Sequence, residues 1–136
     1  MTLNSQPRVG VGAVIINDSN EILLVLRARH PEKNTWSIPG GKVDLYETLE
    51  DTVVREVMEE VGLQVQVQRL LCTAETIDEG REDHWISVIY ATRVVAGEAR
   101  NMEEGGALQE VKWFPLEQLP PNLASFTLPA IDTLRS

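Results

Sequence analysis

Four glutamates lie close together in the middle of this chain and have the chemistry of a cation site. Glu56, Glu59 and Glu60 fall within five residues, and Glu47 precedes them. Negative charges packed this closely repel one another, so they destabilise a fold unless a cation lies among them. Mg²⁺ suits such a site because it takes oxygen ligands, keeps several waters and completes its shell with substrate phosphates. The cluster therefore predicts a Mg²⁺ site, with Mn²⁺ as a substitute ion.

A helix must present these carboxylates together. Thr48 is a good N-cap residue, Asp51 follows it at the spacing of a loose capping box, and Gly62 is a natural C-terminal stop. At about 100 degrees per residue, the three helical glutamates share an arc of roughly 100 degrees. A separate arc, with Val53 at its border, is expected to face the core. That arc contains Val54, Val57, Met58 and Val61.

The glutamate triplet alone does not decide between a metal site and an ordinary solvated helix face, because charge runs usually face water. The spacing of the surrounding residues adds the needed information. A glycine turn, the single acid Glu47, an Arg-Glu pair and a Glu-Glu-x-Gly ending occur in one stretch of 23 residues, 41 to 63.

This stretch resembles the Nudix box, whose pattern is G-x5-E-x7-R-E-U-x-E-E-x-G-U, where U is a bulky aliphatic residue. Every fixed position of the pattern is filled. The matching residues are Gly41, Glu47, Arg55, Glu56, Val57, Glu59, Glu60, Gly62 and Leu63. One departure at a variable position is Tyr46, which stands in place of the glycine that many members have before the first box glutamate, and a second is Thr52 and Val53, which replace a frequent Ala-Ala pair. These departures bear on local packing and not on the chemistry.

The resemblance implies a fold of the α/β (α+β) class, an α/β/α sandwich around a mixed β-sheet, with residues 1–136 forming a single domain. The implied reaction is attack of water on a diphosphate linkage in a nucleoside diphosphate derivative. Segments outside the box are also similar to MutT-like members. These are the strand at 9–16, the Trp-Ser-Ile-Pro-Gly-Gly run at 36–41 and the Trp-Phe-Pro-Leu run at 113–116.

The resemblance also implies roles for individual residues. Glu56 and Glu60 are the leading metal ligands, and Glu59 lies alongside them. Glu47 is expected to act through water or through Arg55, and Arg55 to orient the glutamates. A backbone carbonyl near Gly40 and Gly41 is expected to join the metal shell. The general base is left open between the box and a later loop, where Glu103 or Glu104 would reach the metal cluster. Glu104 is counted among the candidate metal ligands with Gly41, Glu56, Glu59 and Glu60.

Substrate contacts are less strongly indicated. Arg27 and Arg29 follow the second predicted strand and are candidate phosphate ligands, since guanidinium groups match phosphate geometry. Aromatic residues could stack on a base, although most aromatic side chains are simply part of the core. The aromatic candidates are Trp36, Trp85 and Phe126, and His84 is a candidate substrate contact beside Trp85.

The periodicity predicts the elements that position these residues. Strands are expected at 9–16, 21–26, 64–76, 85–95 and 111–114, a helical turn at 116–119, and a last helix at about 128–134. Residues 17–20 form a turn by composition, so the first two strands form a hairpin. Acidic loops are expected at 77–83 and 97–106.

Composition limits the partners. The formal net charge of −9 disfavours polymeric nucleic acid but not a small phosphorylated substrate, because a bound metal reverses the local field. One cysteine, Cys72, excludes an internal disulfide and is expected to be buried. The start lacks an apolar stretch of signal-peptide length and no run approaches transmembrane length, so we expect a cytoplasmic chain without a membrane partner. It would be a monomer or a homodimer.

Three functions are compatible with these observations. The first is a Mg²⁺-dependent (d)NTP pyrophosphohydrolase that releases a (d)NMP and pyrophosphate, which the compact length favours. The second is an ADP-ribose or nucleotide-sugar pyrophosphatase. The third is a non-catalytic nucleotide-binding regulatory domain, which is disfavoured because such domains usually lose box acids and this chain has lost none.

Overall fold

A mixed sheet of seven strands forms the centre of the computed structural model, which describes residues 6–30 and 32–136. The strands are β1 (Arg8–Ile16), β2 (Glu21–Arg27), β3 (Trp36–Ser37), β4 (Gly40–Lys42), β5 (Gln64–Asp78), β6 (Asp83–Ala96) and β7 (Leu108–Pro115). The helices are α1 (Leu49–Val61) and α2 (Thr127–Arg135), and a 3-10 turn covers Glu79–Arg81.

Strand β1 connects the two parts of the sheet. It runs parallel to β6 along its whole length, and β5 pairs with the far edge of β6. The other edge of β1 pairs first with β4 and then, at the Ile16–Ile22 pair, with β2. β2 continues the sheet through β3 and β7. The predicted hairpin is present, and the side-chain oxygen of Asn17 closes its turn by accepting hydrogen bonds from the backbone of Ser19 and Glu21.

The two helices cover opposite faces of this sheet. Side chains of α1 pack with the odd-numbered residues of β1, such as Val11 and Ala13, in one apolar cluster. Side chains of α2, including Ala130 and Ile131, pack in a second cluster with Val14. The alternation of strand side chains separates these two cores. The predicted α/β/α arrangement around a mixed sheet is confirmed.

The ends of α1 are formed as the sequence predicts. The side chain of Thr48 accepts a hydrogen bond from the backbone N–H of Asp51 at 3.1 Å. Gly62 ends the helix in the left-handed conformation, with φ of 74°, and its N–H donates to the carbonyl of Met58. Both contacts satisfy backbone groups that an isolated helix end leaves unpaired.

The prediction of which face of α1 packs against the core is partly wrong. Val53 and Val57 are fully buried, whereas Val54 and Met58 are 37% and 44% exposed. The sheet therefore lies under an arc that includes Val53 and extends towards the glutamates. Glu60 lies about 20 degrees from Val53 around the helix. Its carboxylate is consequently buried with the valines instead of facing water.

The acidic loop predicted at 77–83 is also shorter than expected. β5 extends to Asp78 and β6 begins at Asp83, so only the 3-10 turn separates them. Asp78 caps this turn by accepting a hydrogen bond from the backbone of Arg81. Cys72 is only partly buried at the edge of the second core. In the described part of the chain, no helix has the length and apolar character needed to cross a membrane.

Candidate active site

Arg55 gathers the acids of the box into one network. Its Nε and Nη2 donate to the two carboxylate oxygens of Glu47 at 2.8 and 2.9 Å. Nη1 donates to Glu56 at 2.9 Å and to Glu59 at 3.1 Å. Nη2 also reaches the carbonyl of Lys42 at 3.1 Å. One planar guanidinium thus fixes three carboxylates and the strand that precedes the helix, which a lysine could not do.

Glu47 is committed to this network as an anion. The hydrogen bonds from Arg55, followed by the 2.7 Å hydrogen bond from the Thr52 hydroxyl, lower the pKa of Glu47 to about 2. Thr52 is buried on α1, so the carboxylate is held against the helix. Of its two predicted routes of action, water or Arg55, the structure shows the contact with Arg55.

Glu60 has the opposite environment. It is 8% exposed, and its Oε2 accepts one hydrogen bond, from the backbone N–H of Gly40 at 3.2 Å. Burial is the main cause that raises the pKa of Glu60 to about 8, and the nearby carboxylates of Glu56 and Glu103 raise it further. Gly40 and Arg27 only partly offset these effects. A cation beside Glu60 would remove the cost of its buried charge.

Glu56 lies between these two extremes. Burial raises its pKa, the contact with Arg55 opposes this, and Glu59 and Glu103 raise it. Its carboxylate fits against Gly41, where an added Cβ would stand 2.2 Å from the carboxylate oxygen Oε2. The box glycine therefore leaves room for the Glu56 carboxylate, which a side chain at position 41 would displace from its contact with Arg55.

The loop before β7 adds a further carboxylate to the cluster. The backbone N–H groups of Arg100 and Met102 donate to the last carbonyls of α1, those of Val61 and Glu60, at 3.0 Å each. These bonds dock the loop on the helix end and bring Glu103 close enough to raise the pKa values of Glu56 and Glu60.

Glu104, which the sequence placed in the metal set, is exposed on the same loop. Its neighbour Glu103 is partly buried and is the loop acid that faces the helix. The structure therefore favours Glu103 over Glu104 as the loop acid of the cluster.

The donor chemistry fits a hard divalent cation, although the ligands do not converge as a closed cage. Within residues 6–30 and 32–136, no three acidic, histidine or cysteine side chains meet closely enough to hold an ion by themselves. Arg55 binds Glu47, Glu56 and Glu59, whereas Glu60 accepts its hydrogen bond from the backbone of Gly40. Mg²⁺ does not need a closed protein cage, because waters and phosphates supply most of its ligands. The oxygen donors and the repulsion among Glu56, Glu60 and Glu103 fit this ion.

A cavity of about 270 Å³ begins at Glu60 and extends across the sheet. We call Glu60 and its neighbour on the helix, Glu56, the acidic end, and Trp85 with Phe126 the aromatic end. Glu60 lines the cavity together with both aromatic residues, so it connects the two ends. The other lining residues are Gly10, Val11, Arg27, Glu32, Ile38, Gly40, Gly41, Lys42, Thr76 and Ser87.

The two predicted phosphate ligands occupy different places. Arg27 lines the cavity, and its guanidinium carbon lies 5.7 Å from the centre of the Phe126 ring. Burial lowers the pKa of Arg27, while Glu32 and Glu60 stabilise its charge. Arg29 is exposed and donates a hydrogen bond to the carbonyl of Gly105, outside the cavity lining.

Two further predicted substrate contacts lie away from the cavity. Trp36 is 9% exposed and packs edge-to-face on Phe114, with ring centres 4.8 Å apart, so the structure assigns it to the core. His84 precedes Trp85 on β6 and therefore projects from the opposite face of the strand. Its Nε2 is buried and has no hydrogen-bond partner among the described residues.

Several residues that line the cavity were not predicted from the sequence. Ser87 follows Trp85 by two positions on β6, so strand alternation places both on one face and could have found it. Thr76 pairs with Trp85 across β5 and β6. Glu32 carried no recognisable signal, because it is one charged residue among several in the polar loop before β3.

The comparison with protein families agrees with this geometry. The NUDIX domain family profile matches residues 6–134. The chain belongs to the Nudix hydrolase family. The predicted similarity to the MutT-like members of this family is also confirmed. The MutT NUDIX hydrolase from Burkholderia pseudomallei superimposes with a TM-score of 0.86 at 39% identity, over 96% of this chain and 99% of that one.

Two curated relatives in this family are named for different substrates. The ADP-ribose pyrophosphatase of Methanocaldococcus jannaschii is 38% identical over 114 residues, which are 84% of this chain and 65% of that protein. The human 8-oxo-dGDP phosphatase NUDT18 is 29% identical over 112 residues, which are 82% of this chain and 33% of that protein. This chain therefore spans less than two thirds of the length of either relative.

Proposed function

We propose that this chain hydrolyses a diphosphate linkage in a nucleoside diphosphate derivative with Mg²⁺ or Mn²⁺ as cofactor. The principal substrate would be a (d)NTP, converted to a (d)NMP and pyrophosphate. The observation that carries the proposal is the position of Glu60. This buried acid belongs to the acidic end and also lines the cavity that leads to Trp85 and Phe126. A nucleotide has a matching arrangement, with phosphates at one end, which a cation could link to the acids, and a flat base at the other.

The acidic end would hold the cation through Glu56 and Glu60, with Glu59 alongside and a carbonyl of Gly41 as a further donor. The bound ion would neutralise charge on the diphosphate and lower the pKa of the attacking water. Arg55 keeps Glu56 and Glu59 oriented through the hydrogen bonds described above. Removal of one box acid should therefore abolish turnover without unfolding the chain.

Glu103 is the proposed general base. Water attacks one phosphorus of the linkage, its proton passes to the Glu103 carboxylate, and the bridging P–O bond breaks. Its carboxylate lies close enough to Glu56 and Glu60 to raise their pKa values, which supports a position for Glu103 beside the attacking water. Arg27 would contact the phosphates from the cavity side, because its charge lies between the acidic end and Phe126.

An ADP-ribose pyrophosphatase is the second candidate. The name of the relative from Methanocaldococcus jannaschii, at 38% identity, favours it. The cavity of about 270 Å³ favours a single nucleoside over a substrate with two sugar units. Product analysis separates the candidates, because a dNTP yields pyrophosphate and ADP-ribose yields ribose 5-phosphate with AMP.

The test is a Mg²⁺-dependent activity screen against dNTPs, 8-oxo-dGTP, 8-oxo-dGDP and ADP-ribose, repeated with Glu56→Gln. We expect pyrophosphate release from at least one dNTP and a loss of kcat of about 100-fold or more in the variant. Glu50→Gln is the matched control, since Glu50 is an exposed acid in the first turn of the same helix. Full activity of Glu56→Gln would remove Glu56 from the mechanism. Nucleotide binding without any turnover would instead support the regulatory-domain alternative.

A further inference from the structure

The loop between β2 and β3 is joined to the segment that precedes α2 by one carboxylate. Oε1 of Glu32 accepts a hydrogen bond from the backbone N–H of Ser125 at 2.8 Å. Oε2 accepts a second one from the Ser125 hydroxyl at 3.1 Å. These two residues are 93 positions apart in the chain. Both oxygens of one glutamate are thus committed to a single residue.

Ser125 directly precedes Phe126, whose ring lines the cavity. The guanidinium of Arg27 lies over that ring, and the charge of Glu32 stabilises the charge of Arg27. Glu32 therefore binds the backbone next to Phe126. It also lies near the guanidinium of Arg27, which covers the Phe126 ring. The carboxylate itself lines the same cavity.

The backbone of Glu32 is held in an unusual conformation. Its φ is 57°, in the left-handed region that residues with a side chain rarely adopt. The carbonyl of Glu32 accepts hydrogen bonds from the N–H and the hydroxyl of Thr35, which close a tight turn. This turn points the carboxylate towards Ser125. Such strain is often retained where a side chain must be placed for function.

Other contacts hold the residues before Ser125 in place independently of Glu32. The side chain of Asn122 donates to the carbonyl of Asn34 at 2.8 Å. Backbone hydrogen bonds join Trp36 to Asn122 and to Ala124 at 2.9 and 2.8 Å. Loss of the Glu32 carboxylate should therefore loosen only residues 125–126, because Ala124 stays bonded to Trp36 and the buried Thr127 hydroxyl still accepts a hydrogen bond from the Ile38 N–H at 3.1 Å.

We propose that Glu32 is a positioning residue that fixes Phe126 and Arg27 as one wall of the nucleoside subsite. This inference rests on the proposed function. It assigns substrate affinity to the contact between Glu32 and Ser125, and it assigns the chemical step to the acidic end. Glu32 makes no contact with the reacting atoms in this assignment.

The test compares Glu32→Ala, Glu32→Gln and Ser125→Ala with the unaltered chain. Glu32→Ala should raise KM for the preferred dNTP about tenfold and change kcat less than about twofold, because two hydrogen bonds that order the wall are lost. Glu32→Gln keeps an acceptor oxygen for the Ser125 N–H, so it should restore most of the affinity. Ser125→Ala loses only the hydroxyl donor and should raise KM about two- to threefold. The Mg²⁺ concentration for half-maximal rate should be unchanged in all three variants.

Direct binding of α,β-methylene dGTP with Mg²⁺, measured by calorimetry, keeps this test separate from turnover. If the unaltered chain binds this nucleotide without hydrolysing any, the proposed hydrolase function fails, and a roughly tenfold weaker binding by Glu32→Ala still supports the positioning role. Unchanged KM and unchanged binding in Glu32→Ala would overturn it. So would a fall in kcat without a rise in KM in folded Glu32→Ala and Glu32→Gln, because it would assign Glu32 to the chemical step instead of to substrate affinity. Absence of nucleotide binding by the unaltered chain would overturn both proposals.

Glu117→Ala is the matched control because Glu117 is an exposed glutamate in the turn after β7. Its KM should equal that of the unaltered chain. A KM increase in this control as large as that in Glu32→Ala would show a nonspecific effect of lost negative charge and would contradict the inference.

Discussion

The acidic end and the aromatic end of the cavity are built in different ways. Glu56 and Glu60 come from one turn of α1, and the arginine and glycines that orient them lie in the same short stretch of sequence. The aromatic end combines Trp85 from β6 with Phe126 from the segment before α2, and a loop glutamate holds the latter. Local spacing therefore specifies the first end, whereas only the tertiary fold specifies the second.

This difference predicts how each end responds to substitution. A change at the acidic end should remove turnover, because the local geometry of the helix and the glycine turn leaves little freedom for the carboxylates. A change at the aromatic end should mainly alter affinity, because its wall is held by a few long-range hydrogen bonds. The following predictions test this contrast.

Gly41→Ala should have the largest effect. A Cβ at position 41 would lie 2.2 Å from the Glu56 carboxylate, so the side chain must move and its contact with Arg55 must change. We expect kcat to fall about 100-fold or more, as for loss of a directly acting group, with little change in KM. Steady-state kinetics and circular dichroism would measure the loss and check the fold.

Gly80→Ala is the control for this prediction. Gly80 lies in the exposed 3-10 turn, where an added Cβ would be 3.5 Å from Asp78 Oδ1, an ordinary contact. Its activity should match that of the unaltered chain. Full activity in Gly41→Ala would mean that Glu56 is not constrained by the glycine, and the contrast between the two ends would lose its main support.

The pH dependence of stability should separate two acids of the box. The pKa of Glu60 is raised to about 8 in the folded chain from an ordinary 4.5, so the folded state binds the proton more tightly than the unfolded state. Its contribution to stability is complete below pH 4.5 and is lost as the pH rises towards 8. Glu47, with a pKa lowered to about 2, contributes stability above its ordinary pKa that is lost only in stronger acid.

Chemical denaturation in EDTA between pH 5 and 8 would measure this effect. As the pH rises from 5 to 8, the unfolding free energy of the unaltered chain should fall by about 1–3 kcal/mol relative to that of Glu60→Gln. Saturating Mg²⁺ should reduce the fall, because the ion compensates the charge and displaces the proton. Parallel pH profiles for the two proteins in EDTA would show that Glu60 is not buried as a destabilised anion.

The same contrast explains how much the sequence could predict. The helix ends, the hairpin and the box acids follow from local rules, so Thr48, Gly62 and Arg55 are found where those rules place them. The burial of Glu60 was not predicted, because it depends on which arc of α1 the sheet covers. Helix periodicity alone could not choose between two adjacent arcs that both contain valines.

The aromatic end was less predictable for a related reason. Trp36 and Trp85 are both tryptophans in apolar surroundings, and only tertiary packing shows that the first is core and the second lines the cavity. The hydrogen bonds between Glu32 and Ser125 join residues 93 positions apart and have no local pattern. Sequence spacing carries information about neighbours on one element, and this wall is made by three separate elements.

The smallest predicted effect concerns the variable position just before Glu47. Tyr46 has a φ of 70° and is 95% exposed, so it occupies the left-handed region without any packing that offsets the cost. Tyr46→Gly should therefore stabilise the chain by about 0.5–1 kcal/mol and leave kcat unchanged, because Glu47 is held by Arg55 and Thr52. Thermal unfolding and steady-state kinetics would measure both quantities, with Leu45→Ala as the exposed control on the same loop. A large loss of kcat in Tyr46→Gly would show that the exposed ring takes part in the reaction. In that case the loop before α1 would have to be counted with the cavity walls, and local spacing would no longer account for the whole acidic end.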